Sequence, residues 1–224
     1  MADFDWKQLL NPEFYILLEF SGIKIGLYVI LFIVFAETGL LAGFFLPGDS
    51  LLFLAGIYSE LLMRSFSTGS DFIDVTFLAT LISVMGILGN MTGYWFGAKS
   101  GSYLFKKEDN FFFKKKYLYQ SKDFFDKYGN KAIVFARFLP ILRTFAPVIA
   151  GIVEMNKKRF MFYNIVGSIL WSFTMIFAGH YLYELFLNQF NIDLKHYIEY
   201  IVIGIILVTT FPVVMKFLKK KKLD

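Results

Sequence analysis

The chain has 224 residues, 57% of them hydrophobic and only 18% charged, with mean hydropathy +0.56, whereas soluble domains run at about 45–50% apolar and about 25% charged. Twenty-nine Phe and thirteen Tyr carry more apolar surface than one soluble core of this size hides, so the composition excludes an ordinary water-soluble domain and asks for a bilayer. The formal net charge is +5, and with no cysteine disulfides, thiolate metal sites and cysteine nucleophiles are excluded as well.

The N-terminal stretch MADFDWKQLLNPEF sets Asp3, Asp5 and Glu13 against Lys7. It lacks the basic start of a secretory signal, so residues 1–21 are expected to stay as a cytoplasmic or interfacial segment. Apolar stretches at 22–44, 75–98, 160–187 and 197–218 are each long enough to cross a hydrocarbon core of about 30 Å at about 1.5 Å per residue. Two shorter ones, 45–62 and 132–153, are interrupted by Pro47, Gly48 and Gly56, and by Pro140, Pro147 and Gly151, which predicts re-entrant segments hinged at those residues.

Lys and Arg collect in cytoplasmic loops, and 17 of the 23 fall in 99–131, 157–159 and 216–224. All three patches are therefore expected on the cytoplasmic side, with 63–74 and 188–195 outside. If 99–131 and 157–159 share a side, the stretch between them enters and leaves by one face, as a re-entrant hairpin does. The expected fold is an all-α, polytopic integral membrane bundle with two re-entrant, broken-helix segments in an inverted-repeat arrangement. A single transmembrane domain spans 22–218, followed by a basic cytoplasmic tail at 219–224. Inverted repeats in transporters place a site near the midplane.

Within 99–131, lysines alternate with Phe113, Tyr117, Phe124 and Tyr128, which suits an amphipathic helix on the anionic cytoplasmic leaflet. The same mixture can mark nucleic-acid binding, but beside a membrane span the lipid reading is preferred, and no nucleic-acid partner is expected. His180 and His196 stand far apart in the sequence and are read as interfacial polar residues rather than metal ligands, so no metal is expected. No GxxxxGK[ST] or GxGxxG loop occurs, which argues against direct ATP use and any nucleotide cofactor. Glycines at 86, 89, 93, 97 and 101 predict a smooth helix face for close packing.

Charged residues within the membrane are functional candidates by default, and four stand out: Glu37, Asp49, Arg137 and Arg143. On a straight helix the two arginines would lie about 120° apart around the axis; a break at Pro140 lets them converge. Gly39, Gly43, Pro47 and Gly48 likewise let the chain turn back and bring Glu37 and Asp49 together, and a short helix opening near Pro47 would aim its amides at an anion. The competing reading makes the four charges two buried salt bridges that only hold the re-entrant segments.

PGDSLLFLAG after Glu37, GILGNMTGYWFGAKSG at 86–101 and FARFLPILRTFAPVIAGIVEMNKKRFMFYNIVGSILW at 135–171 resemble the DedA family of membrane proteins, also called VTT-domain or SNARE-associated Golgi proteins. The resemblance covers about 35–175. Arg137, Pro140, Arg143, Pro147, Gly151, Met155, Phe160, Asn164, Gly167 and Trp171 occupy motif positions, while Asp49 stands where the family often has Glu.

The resemblance implies lipid translocation in a bacterial inner membrane, and the distribution of Lys and Arg puts both the N- and C-termini on the cytoplasmic side. Bacterial members are associated with proton-motive-force-dependent return of undecaprenyl phosphate to the cytoplasmic leaflet for carrier-lipid recycling; eukaryotic relatives scramble phospholipids. It also implies that Glu37, Asp49, Arg137 and Arg143 are needed for activity. Arg137 and Arg143 then hold the lipid phosphate, since planar guanidiniums bind phosphate bidentately. Glu37 and Asp49 couple protons, and Asn164 and Trp171 support the site. The expected partners are a lipid phosphate, protons and the bilayer, with a homo-oligomer left open. A nonselective scramblase and a non-transporting scaffold are the rivals. No enzyme activity is expected, because no nucleophile or metal cluster accompanies the four charges.

Overall fold

The computed structural model describes residues 12–20, 23–40, 48–106, 132–137 and 140–205. Apart from one small antiparallel pair, β1 (Glu19–Phe20) with β2 (Ile23–Lys24), the described structure is helical. In chain order the helices are α1 (Pro12–Ile16), α2 (Gly26–Gly39), α3 (Gly48–Ile57), α4 (Ser59–Met63), α5 (Asp71–Lys106), α6 (Ala132–Arg137), α7 (Pro140–Ile152) and α8 (Lys157–Phe190). A 3-10 turn at Leu194–Tyr197 follows, and residues 198–205 are helical again.

Among the described residues two helices are long and apolar enough to cross a membrane, Asp71–Ser100 and Lys157–Phe190, with hydropathies of 2.0 and 1.6. They contain the expected crossings at 75–98 and 160–187. Both present apolar side chains outward, including Phe77, Leu88 and Trp95 on α5 and Phe162, Ile169 and Leu182 on α8. Polar side chains such as Ser83, Asn90, Asn164 and Ser168 are buried instead. That inversion of the soluble pattern suits a protein whose solvent is lipid.

The expected crossing at 22–44 is realised differently. Its described helix, α2, has 14 residues, about 21 Å at about 1.5 Å per residue, Ile23 and Lys24 belong to β2, and residues 22 and 41–44 of the stretch lie outside the described residues. The 197–218 stretch is described only to 205, and Pro47, residues 107–131 of the basic segment 99–131 and the tail 219–224 lie outside the described residues.

Local chemistry sets the helix ends. Asp74, one turn into α5, accepts from Ser67 Oγ at 2.6 Å and from the Thr68 amide and hydroxyl at 2.8 Å, pinning the preceding loop to a helix N-terminus that favours negative charge. Helix α7 opens on Pro140, where the missing amide costs no helical hydrogen bond. It closes with Glu154 at φ 56° and the Met155 amide on the Ala150 carbonyl at 2.9 Å, a Schellman end. Asn156 Oδ1 then accepts from the Lys158 and Arg159 amides at 3.1 and 3.2 Å and caps α8. At the far end of α8, Asn191 takes φ 53° and the Ile192 amide reaches the Phe186 carbonyl at 3.1 Å.

The chain divides into two compact units: one of Met1–Ile33, Leu46–Ile82 and Ser172–Asp224, the other of Val34–Phe45 and Ser83–Trp171. In the first unit α3 meets the later half of α8, where a Cβ on Gly56 would strike the Ile176 carbonyl and lie 3.1 Å from Gly179 Cα. A Cβ on Gly179 would in turn strike the Phe53 carbonyl. Leu51, Leu52, Leu54, Met63, Leu78 and Ile176 form the buried interior there.

In the second unit α7 meets the later half of α5. A Cβ on Gly97 would run into the Val148 backbone, and one on Gly151 into the Tyr94 carbonyl. Ile133, Ala150 and Phe160 form a buried cluster with Tyr94, Met155 and Tyr163 against it. The expected close-packing role of the glycine face is borne out at Gly86, Gly89, Gly93 and Gly97: Gly89 abuts the end of α2 at Thr38 and Gly39, Gly86 abuts Arg137, and Gly93 abuts Pro147 and Val148.

Candidate functional site

The second unit gathers three of the four predicted charges. Glu37 comes from the last turn of α2, held close to α5 by the Gly39–Gly89 approach, where a Cβ on Gly39 would sit 2.8 Å from the Gly89 carbonyl oxygen. Arg137 ends α6, and Arg143 stands in the first turn of α7. The side chains are deeply buried: Glu37 is 1%, Arg137 2% and Arg143 4% exposed.

Arg143 Nη2 donates to Glu37 Oε1 in a buried ion pair. Arg137 is held differently. Its Nη1 donates to Ser168 Oγ at 2.7 Å and its Nη2 to the Gly86 carbonyl at 3.0 Å, while its Nε–H, buried, has no hydrogen-bond partner among the described residues. Both acceptors are neutral, so among the described residues Arg137 lies in no ion pair.

The two guanidiniums meet on one ring. The Cζ atoms of Arg137 and Arg143 lie 5.5 and 5.0 Å from the centroid of the Trp171 indole, itself 1% exposed. Cation–π attraction of this kind offsets part of the cost of burying charge. The expected convergence of the two arginines is therefore found, and Trp171 is the side chain on which they meet.

A polar ladder supports Arg137. Asn164 Oδ1 accepts from Asn90 Nδ2 at 2.8 Å, and Asn164 Nδ2 donates to the Ile87 carbonyl at 3.1 Å. Ser168 Oγ donates to the Asn164 carbonyl at 2.7 Å while accepting from Arg137. Sequence reasoning gave Asn164 a supporting place but missed Asn90, Ser168 and the Gly86 carbonyl. The signal was present: Asn164, Ser168 and Trp171 repeat at spacings of four and three, one face of a helix.

Asp49 belongs to the other unit. It is buried in the first turn of α3, directly after Gly48, where the helix dipole favours a carboxylate. Pro147 and Gly151 lie buried within α7.

A VTT-domain family model matches residues 46–181, more than half of the chain. This chain is a DedA-family membrane protein. Protein DedA of Escherichia coli strain K12 is 35% identical over 199 residues, 88% of this chain and 85% of that protein. The uncharacterized membrane protein Rv0364 of Mycobacterium tuberculosis strain H37Rv is 40% identical over 183 residues, 82% of this chain and 74% of its own length. Inner membrane protein YqjA of E. coli K12 is 32% identical over 180 residues, 80% and 73% of the two chains. No solved structure matches this DedA-family chain.

Proposed function

We propose that this DedA-family protein translocates a lipid phosphate, undecaprenyl phosphate, to the cytoplasmic leaflet of a bacterial inner membrane and couples the step to protons. The observation that carries the reading is Arg137: a buried guanidinium whose described hydrogen-bond partners are neutral, beside a second guanidinium on the same indole. Burying a cation without a direct ion pair is costly, and an arriving phosphate would supply one. A guanidinium offers such an oxyanion charge-assisted hydrogen bonds in a planar fork.

Glu37 gives the proton step a place. While ionised it occupies Arg143; once protonated it would release that guanidinium to the phosphate. Moving one negative charge inward against about 100 mV costs about 2.3 kcal/mol, which a cotransported proton offsets. Asp49, at the start of α3, is the second proton candidate. The two short helices α3 and α7, each closed glycine to glycine on a long helix within its own unit, are read as the paired re-entrant segments of an inverted repeat, with both termini cytoplasmic. The protein binds and moves its lipid and performs no bond chemistry.

The scaffold reading has one observation in its favour, the buried Glu37–Arg143 pair. Neutral variants separate the two. Reconstituted with a pH gradient, Glu37→Gln or Asp49→Asn is expected to exchange lipid phosphate yet lose its response to the gradient. If both variants keep gradient-driven uptake at the wild-type pH dependence, coupling through these carboxylates is refuted.

A further inference from the structure

His180 is not the isolated interfacial residue that its sequence context predicts. It is buried in α8, with Nε2 2.7 Å from Asp71 Oδ2 and 3.7 Å from Oε2 of Glu184, one helical turn on. Its Nδ1 lies 2.9 Å from Ser59 Oγ. One ligand atom from each of Asp71, His180 and Glu184 falls within 4.8 Å of the others. All three line a cavity of about 890 Å³ in the first unit, whose wall also carries Glu60, Arg64, Asp74 and Lys195.

We propose that Asp71, His180 and Glu184 form a divalent metal site whose fitting ion is Zn2+. Zinc takes imidazole nitrogen and carboxylate oxygen at about 2.0–2.2 Å, so neighbouring ligand atoms of a tetrahedral site stand about 3.4 Å apart. Glu184 is already close to that separation from Nε2. Asp71 has to withdraw by less than about 1 Å, and at 54% exposure its side chain is able to move, as is that of Glu184 at 45%.

The buried imidazole is the fixed ligand. In the tautomer whose Nδ1–H donates to Ser59 Oγ, Nε2 keeps the lone pair that binds metal, the usual outer-shell arrangement of a ligating histidine. Water from the cavity completes the fourth position. Calcium and magnesium prefer shells of six or more oxygens, so a nitrogen ligand with only two carboxylates selects a borderline ion. A merely structural His–Asp pair would need one carboxylate; the second, one turn along α8, is what the metal reading explains.

None of these residues contributes to the arginine site, so the two proposals fail or stand separately. The test titrates the tag-free full-length protein in detergent with Zn2+ by calorimetry, and with Co2+ as a visible-absorption probe. Wild type is expected to bind one ion saturably and to give the intense Co2+ bands of a four-coordinate site. Glu184→Gln and Asp71→Asn, both at half-exposed positions that leave folding intact, should each weaken binding at least tenfold, by analogy with the about 10- to 100-fold cost of disturbing a zinc shell, and Ser59→Ala should cost about tenfold. His196→Gln, on the exposed 3-10 turn, should change nothing. Absence of saturable binding in the wild type, wild-type affinity in both carboxylate variants, or loss of binding in His196→Gln would overturn the site.

Discussion

Glu37→Ala is expected to destabilise the protein by about 3–5 kcal/mol, the usual cost of removing one partner from a buried ion pair. The variant leaves Arg143, 4% exposed, without the carboxylate that its Nη2 contacts. Against a typical total of about 5–15 kcal/mol, that loss should appear as a marked fall in unfolding temperature of the detergent-solubilised protein. Glu37→Gln retains an acceptor and should lose much less. A double variant, Glu37→Ala with Arg143→Met, should recover most of the stability, because a buried pair is often replaceable by apolar side chains, and should still move no lipid. Wild-type stability in Glu37→Ala would mean that the pair does not carry a buried charge.

Arg137→Lys is expected to leave the fold intact and to remove most transport. An ammonium keeps the charge but cannot hold Ser168 Oγ and the Gly86 carbonyl as the two arms of a fork do while a planar cation faces Trp171, nor offer phosphate a bidentate face. Losing one charge-assisted hydrogen bond at about 1.5–3 kcal/mol corresponds to a fall of about 10- to 160-fold in rate. Initial rates of phosphate-lipid uptake by liposomes holding equal amounts of folded protein measure it. Full activity would remove the phosphate role of Arg137, and loss of folded protein would favour a purely structural role.

Much of the arginine site is legible in the amino-acid sequence. Intramembrane charge is so costly that Glu37, Arg137 and Arg143 stand out at once, and Pro140 between the arginines marks the break that lets both reach Trp171. The glycine face of α5 is legible too, because its spacing of three and four is a helix period. The pairing is not. Which arginine takes Glu37 depends on the Gly39–Gly89 approach that sets the end of α2 against α5, a contact between residues far apart along the chain. Nor does hydropathy foresee that α2 is short, since length in an apolar run says nothing of where a hairpin such as β1–β2 cuts in.

His180 escapes a sequence reading for a related reason. Glu184 sits at the i+4 spacing that places two ligands on one helix face, but Asp71, far earlier in the chain, is brought to the same ring only by the packing of the first unit. Ser168 and Asn90 are missed because small polar residues in an apolar helix read as ordinary packing until their partners are known.

The most direct test of the central claim is a reconstituted-liposome assay comparing fluorescent undecaprenyl phosphate with a zwitterionic phospholipid, each with and without an imposed pH gradient. Proton-coupled translocation through the paired arginines predicts saturable movement of the phosphate lipid that accelerates with the gradient, with the zwitterionic lipid left behind. Equal movement of both lipids regardless of the gradient, or movement of neither, would contradict it.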